Sequence, residues 1–380
     1  MLAFLFFLSL GMIFYVYAGY PVFVHVLGLF VNRTLQKQSA EPFVTILIAA
    51  FNEERHIAAT IDNKLSLEYP ADRLEVIVIS DGSTDRTDEI VKNFPDGNLR
   101  LLRQEHRSGK TAALNQAVPL AKGEILAFSD ANSIWAADAL CRLTANFADP
   151  GVGYVTGKMV YTNPGGSPVG EGCSTYMKYE NFLRAAETRI GSIVGVDGGI
   201  DAVRKELYRP MNPDQLPDFV LPLQVVAQGR RVVYEPAALL REPALKEAGD
   251  EYRMRVRVSL RAFWALFDMR HLLNPRTDPL FAWQLWSHKV LRYLCFFFLV
   301  CAWFCNALLW NSGSFYRVFF VLQNMAYICA GAAPLLSSEG FVGRQLNFFR
   351  YFFLINLAAA HALVKFIMGR KQVMWAPRKG

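Results

Sequence analysis

The chain has 380 residues, 53% of them hydrophobic and 29 of them Phe, with a formal net charge of +7. That apolar content excludes a purely water-soluble protein. The cations are dispersed and flank apolar segments, which excludes a nucleic-acid binder and favours an anionic membrane surface as partner. Four of the six Cys (Cys295, Cys301, Cys305, Cys329) lie in apolar stretches and no Cys-x-x-Cys occurs, so neither a disulfide framework nor a zinc site is expected.

Residues 1–31 contain no Asp, Glu, Lys or Arg, and about 20 apolar residues suffice to cross a bilayer. Without an Ala-x-Ala cleavage site, residues 1–32 are expected to be a transmembrane anchor rather than a removable signal. Tyr17, Tyr20 and Pro21 mark either an interface or a kink. A run rich in β-branched residues, 43–50, predicts a buried strand ending in the polar turn Phe51-Asn52-Glu53-Glu54. Ile57, Ile61 and Leu65 recur at helical spacing. A second strand, Leu74 to Ser80, ends at Asp81, and a helix capped near Thr84 follows. Residues 99–103 form a third strand, Gly109-Lys110 opens another helix, and a fourth strand, Glu124 to Ser129, ends at Asp130. This alternation predicts an α/β domain with a mostly parallel sheet covered by helices on both faces.

A Gly/Pro-rich loop at 163–172 separates this half from a second one running to about residue 250. Residues 251–290 are expected to be amphipathic and interfacial, carrying Arg253, Arg255, Arg257 and Arg261. Residues 291–369 hold three candidate spans, 293–316, 318–338 and 351–364, and a basic tail occupies 370–380. Arg33 and Lys37 after the first span, with Lys289 and Arg292 before the second, place the middle of the chain in the cytoplasm. Three C-terminal spans would then put the tail outside, against its Arg370, Lys371, Arg378 and Lys379. Either the tail breaks the rule or one segment does not cross.

Asp81, Asp130 and Asp218 are each expected at a strand end, and the crevice beyond the carboxyl ends of strands is where an open α/β sheet binds ligand. The alternative for Asp81 and Asp218 is a helix cap. Lys110 at a helix start suits a phosphate.

Val44 to Glu53, Ser80-Asp81-Gly82-Ser83-Thr84-Asp85, Gly109-Lys110 and Asp130-Ala131-Asn132 resemble the inverting family 2 glycosyltransferases with a GT-A fold. Tyr17 to Pro21, Ser287-His288-Lys289 and Trp375-Ala376-Pro377-Arg378 extend the resemblance to membrane-bound bacterial members, relatives of cellulose, hyaluronan and poly-N-acetylglucosamine synthases. The resemblance implies a nucleotide-sugar donor, UDP-linked, held by Ala50, Asn52, Glu53, Asp81, Lys110, Asp130 and Arg257. It implies Mg²⁺ or Mn²⁺ at Asp130 and Asn132, where the family's second metal-binding carboxylate is replaced by an amide. Asp218 takes the place of the catalytic base, with Asp214 a weaker candidate. Gly198 and Gly199 correspond to the acceptor side. Where the family has Gln-x-x-Arg-Trp, this chain has Met254, Arg257 and Val258, and Trp264 is either a substitute sugar platform or an interfacial anchor. The implied setting is a multi-pass inner-membrane enzyme with a cytoplasmic catalytic domain. Its acceptor would be a growing glycan or a lipid-linked sugar, and export or assembly proteins would be its partners.

Overall fold

The computed structural model describes residues 1–162, 168–242, 248–332 and 340–374. In chain order the strands are β1 (Val44–Ala50), β2 (Leu74–Ser80), β3 (Leu99–Arg103), β4 (Ile125–Asp130), β5 (Ile134–Trp135), β6 (Val152–Tyr161), β7 (Asp201–Arg204) and β8 (Arg231–Glu242). The helices are α1 (Leu2–Phe14), α2 (Tyr20–Phe30), α3 (Ile57–Leu65), α4 (Thr87–Lys92), α5 (Lys110–Ala117), α6 (Ala139–Ala145) and α7 (Pro168–Ile190). They continue with α8 (Pro217–Ala227), α9 (Ala248–Asp268), α10 (Pro279–Leu285), α11 (Leu291–Tyr293), α12 (Cys295–Leu308), α13 (Ser314–Ala332) and α14 (Gly340–Ile367).

Every residue of β1 and β2 is buried, because each strand feeds two cores. Leu47, Ala49, Ile77 and Ile79 point into one, and Val44, Ile46, Ile48, Val76 and Val78 into the other. Strand side chains alternate between faces, so a sheet covered on both sides needs an unbroken apolar run. The sheet order is β3-β2-β1-β4-β7-β6-β8-β5. β1, β2, β3 and β4 are mutually parallel, whereas β7 runs antiparallel to both β4 and β6. The sheet is therefore mixed: β6 and β8 again pair in parallel, and the strands reversed against their neighbours are β7 and the two-residue β5. Alternating hydrophobicity reports which face a residue occupies but carries no sign for strand direction.

The chain register aligns the ends that matter: Ala50 pairs with Ser80 and Ala49 with Asp130. Other local expectations shift by a few residues. The helix expected to be capped near Thr84 begins at Thr87, whose amide donates to Asp85 Oδ1 at 3.0 Å. The loop expected at 163–172 falls partly outside the described residues, and from Pro168 the chain is already helical.

Among the described residues two helices are long and apolar enough to cross a membrane, Leu2–Phe30 and Phe349–Ile367. A third candidate is the pair Pro279–Tyr293 and Cys295–Leu308, bent by 57°. α13, which covers much of the stretch expected to span at 318–338, carries Arg317, Gln323 and Asn324. The remainder of that stretch, 333–339, lies outside the described residues. A π-helical turn, Tyr15–Gly19, interrupts the first helix. Its tyrosines face protein: Trp283 Nε1 donates to Tyr15 Oη at 2.8 Å, and Tyr20 Oη donates to Glu187 at 2.5 Å.

α9 is sandwiched rather than lying free, with Val256, Leu260 and Phe263 packed on Ala358 and Ala362 of α14. Beyond α14 the tail turns back onto the soluble domain. Trp264 Nε1 donates to the Arg370 carbonyl at 2.9 Å, Lys371 pairs with Asp214 at 2.6 Å, and a Cβ at Gly109 would meet the Val373 carbonyl at 3.2 Å.

Candidate active site

A cavity of about 340 Å³ opens at the carboxyl ends of β1 and β4, with Glu53, Lys110, Asp130, Asn132, Asp218 and Arg257 in its wall. Lys110 is its electrostatic centre. The ammonium lies 2.7 Å from Asp130 Oδ1 and 3.6 Å from Asp218 Oδ1. Burial alone would lower its pKa, but the two carboxylates outweigh it and the pKa is raised, so the lysine stays charged.

Asp218 does not end a strand as expected: it sits in the first turn of α8, whose cap residue is Leu216, and it lines the cavity without serving as the helix cap. The approach to Asp218 depends on Gly198. At φ +74 it occupies the left-handed region, and a Cβ there would stand 2.8 Å from Asp218 Oδ2. Gly199, at φ +76, approaches Ser133 Oγ at 3.1 Å and Asp130 Oδ2 at 3.4 Å from its Cβ position, less tightly than Gly198 approaches Asp218. Asp214, the weaker candidate for the base, is engaged by Lys371 of the tail.

The structure separates the expected donor residues into wall and support. Asp81 is buried and accepts from the Ser108 amide at 2.7 Å and the Gly109 amide at 3.0 Å, so it joins β2 to the start of α5 instead of capping α4. Burial raises its pKa, opposed by those two amides and by Arg107. Ala50 lies beneath it, its carbonyl accepting from the Asp81 amide at 2.8 Å. Asn52 adopts φ 53, rare for a residue other than glycine, and its Oδ1 accepts from the Thr84 amide at 2.8 Å. Trp264 is held against Phe366, ring centroids 4.6 Å apart, away from the cavity wall.

Spacing in the sequence could not reveal several wall residues. Arg184 of α7 and Asp197 form a buried ion pair at 2.6 Å, and Tyr176, Lys289 and Tyr293 close the cavity toward the apolar helices. Asp201 on β7 is fully buried, and burial followed by repulsion from Asp218 holds its carboxyl well above the usual aspartate range. Two signals point this way: Ser287-His288-Lys289 is a motif, and Asp197 and Asp201 lie in the segment 195–204 that resembles the family's acceptor side, with Asp201 a reserve candidate for the base beside Asp214.

Residues 45–209 match the family described as Glycosyl transferase family 2. This is a family 2 glycosyl transferase domain. Asp218 lies just beyond the end of the match. Over 191 residues the chain is 35% identical to a β-monoglucosyldiacylglycerol synthase of Nostoc, covering 48% of this chain and 41% of the relative. Over 266 residues it is 27% identical to a poly-β-1,6-N-acetyl-D-glucosamine synthase of Staphylococcus aureus, covering 66% of this chain and 64% of the relative. The chain thus spans less than two thirds of the length of these curated relatives. A mannosyltransferase of Pyrobaculum calidifontis, solved in complex with GDP-Man and Mn²⁺, shares the fold with a TM-score of 0.74 at 22% identity, over 96% of this chain and 99% of that one. The glycosyltransferase domain and the helices around it therefore form a fold seen before as a unit.

Proposed function

We propose that this chain is a membrane-embedded inverting glycosyltransferase that moves a sugar from a UDP-linked donor onto a growing glycan in extracellular polysaccharide synthesis. The observation that carries this reading is the meeting of Asp130, Lys110 and Asp218 in one cavity at the strand ends. Asp218 accepts the proton of the acceptor hydroxyl as its oxygen attacks the anomeric carbon. The bond from that carbon to the diphosphate breaks in the same displacement, so an α-linked donor yields a β-linked product. Lys110 and Arg257 supply positive charge toward the departing diphosphate.

Asp130 and Asn132 present one carboxylate and one amide oxygen to the cavity. That is a hard-oxygen set suited to Mg²⁺ or Mn²⁺, whose remaining ligands would be water and diphosphate. When bound, the cation would supply neutralisation of phosphate charge. The glucose and N-acetylglucosamine in the relatives' names make UDP-glucose and UDP-N-acetylglucosamine the first donors to try. The test is nucleotide release by the purified full chain across a panel of nucleotide sugars, with product anomers assigned by NMR. No release above the level of Asp218→Asn with any donor would defeat the reading.

A second reading is transfer of a single sugar to a lipid-linked acceptor. It is favoured by Tyr176, Lys289 and Tyr293, which extend the cavity wall to the apolar helices. Val258, standing where processive relatives carry Trp, supports it too.

A further inference from the structure

A cation that forms no direct ion pair among the described residues stands where the catalytic cavity meets the apolar helices. Tyr176, Arg255, Val258, Lys289 and Tyr293 wall the cavity and also a second hollow of about 60 Å³, which reaches Tyr17 of the N-terminal helix and Asn356 of α14. The carboxylates nearby are already engaged. Glu180 pairs with Arg292 and with His288. Glu187 accepts from Tyr20 at 2.5 Å and from the Val194 amide at 3.1 Å, and contacts His288 at 2.7 Å. Asp197 pairs with Arg184 at 2.6 Å. Among the described residues none forms an ion pair with Lys289.

The Lys289 ammonium lies instead 5.8 Å from the ring centroid of Phe219, the residue after Asp218. Its room is made by Gly195, where a Cβ would stand 2.5 Å from Nζ. Glu180 and Glu187 attract it without direct contact; a half-buried ammonium held by no direct ion pair is costly in a water-poor setting, and an incoming anion offsets that cost. The apolar helices alongside add a place for a hydrocarbon chain.

We propose that Lys289 binds the phosphate of a phosphate-bearing lipid acceptor, whose hydrocarbon chain leaves along the outer surface of the apolar helices and whose acceptor end points to Asp218. This inference rests on the lipid-acceptor reading above. The shared chemistry is a phosphate group, which a free phosphate or the donor diphosphate could also present.

The test uses the purified full chain in phosphatidylcholine nanodiscs, with hexadecyl phosphate, hexadecanol, inorganic phosphate and UDP as probes in equilibrium binding. The wild type should retain hexadecyl phosphate over hexadecanol. Lys289→Met should weaken that retention about tenfold or more, as expected for one lost charge-assisted contact. Lys289→Arg should restore most of it, and Gly195→Ala, which crowds the ammonium while leaving its charge, should weaken it as well. UDP should bind all four proteins alike, which also reports that each is folded. Unchanged hexadecyl phosphate binding in Lys289→Met overturns the proposal, as does equal retention of hexadecanol. A fall in UDP affinity instead assigns Lys289 to the donor. Displacement by equimolar inorganic phosphate leaves an anion site with no lipid preference, which also overturns it. Absence of nucleotide release with every sugar donor would defeat the transferase reading and leave these binding results standing.

Discussion

Three aspartates within one small region have different environments, and their chemistry follows from that. Asp218 faces Lys110 across 3.6 Å in the cavity, Asp130 holds the same ammonium at 2.7 Å, and Asp201 is buried beneath them. Asp218→Asn keeps size and removes basicity, so it should leave a folded, nucleotide-binding protein with transfer slowed by a factor of about 10² to 10⁴. Near-normal transfer in single-turnover kinetics would place the base elsewhere. Asp130→Ala and EDTA treatment of the wild type should each abolish turnover, and full nucleotide release in EDTA would remove the cation from the mechanism. Asp201 makes a pH prediction with a definite sign. Its folded-state pKa is raised well above 3.8 by burial, then by Asp218, with Asp197 adding and Lys110 and Thr156 opposing. The folded state then binds more protons than the unfolded chain above that value, so this group's contribution to stability is present below it and is lost as pH rises. Asp201→Asn removes that slope. Its melting temperature relative to wild type should climb as pH rises above the ordinary aspartate value of 3.8, and a flat difference would mean that Asp201 is not protonated in the folded protein.

At the scale of elements, α3 and the segment after β4 act as one piece. Thr60 Oγ1 donates to the Ala131 carbonyl at 2.6 Å, and Lys64 Nζ donates to the Ser133 carbonyl at 2.6 Å. Asn63 brackets Trp135, donating to its carbonyl at 2.9 Å and accepting from its amide at 2.8 Å. One helical face thus holds the backbone on both sides of Asn132, which would fix the position of the proposed metal ligand. Burial lowers the Lys64 pKa to about 7, so this grip contains a group that titrates near neutrality. Asn63→Ala leaves the Trp135 backbone groups unpaired, at a cost of about 1–3 kcal/mol. It should also raise the Mn²⁺ concentration needed for half-maximal turnover while donor affinity at saturating metal stays the same. A variant with lower stability and an unchanged metal requirement would restrict α3 to a structural role.

At the scale of the whole molecule, the tail resolves a conflict in the charge pattern. Trp264, Asp214 and Gly109 all touch residues 370–373, so the tail lies on the same side as the glycosyltransferase domain. Crossing by the three candidates among the described residues, Leu2–Phe30, the bent pair Pro279–Tyr293 and Cys295–Leu308, and Phe349–Ile367, would give that result. It also satisfies the positive-inside rule at both ends of the domain. A reporter fused after residue 380 should therefore read cytoplasmic, and protease added to intact cells should leave the domain uncut. Periplasmic reporter activity would mean an odd number of C-terminal crossings.

Some of this was written in local patterns. The apolar runs of β1 and β2, the acidic residues at the ends of β2 and β4, the charge-free first helix and the pairing of Gly109 with Lys110 are all near-neighbour signals. They follow from side-chain alternation, turn chemistry and bilayer thickness, which act over a few residues to about 20. The family motifs named the same half of the site for the same reason. Strand direction was not legible: β7 joins β4 antiparallel, and nothing in Asp201–Arg204 encodes which way it runs. Nor was it legible that Asp81 is buried against the amides of Ser108 and Gly109, or that Trp264 holds the tail instead of lining the cavity. The pairing state of Lys289 was equally hidden, because it depends on how Glu180, Glu187 and Asp197 are shared among Arg184, His288 and Arg292. Those residues come from α7, the segment before β7, the turn after α10 and α11, and they interact only once packing brings them within a few ångströms. Coulomb energies and desolvation depend on distance and surroundings in space, so which charge is left over is a property of the tertiary structure alone.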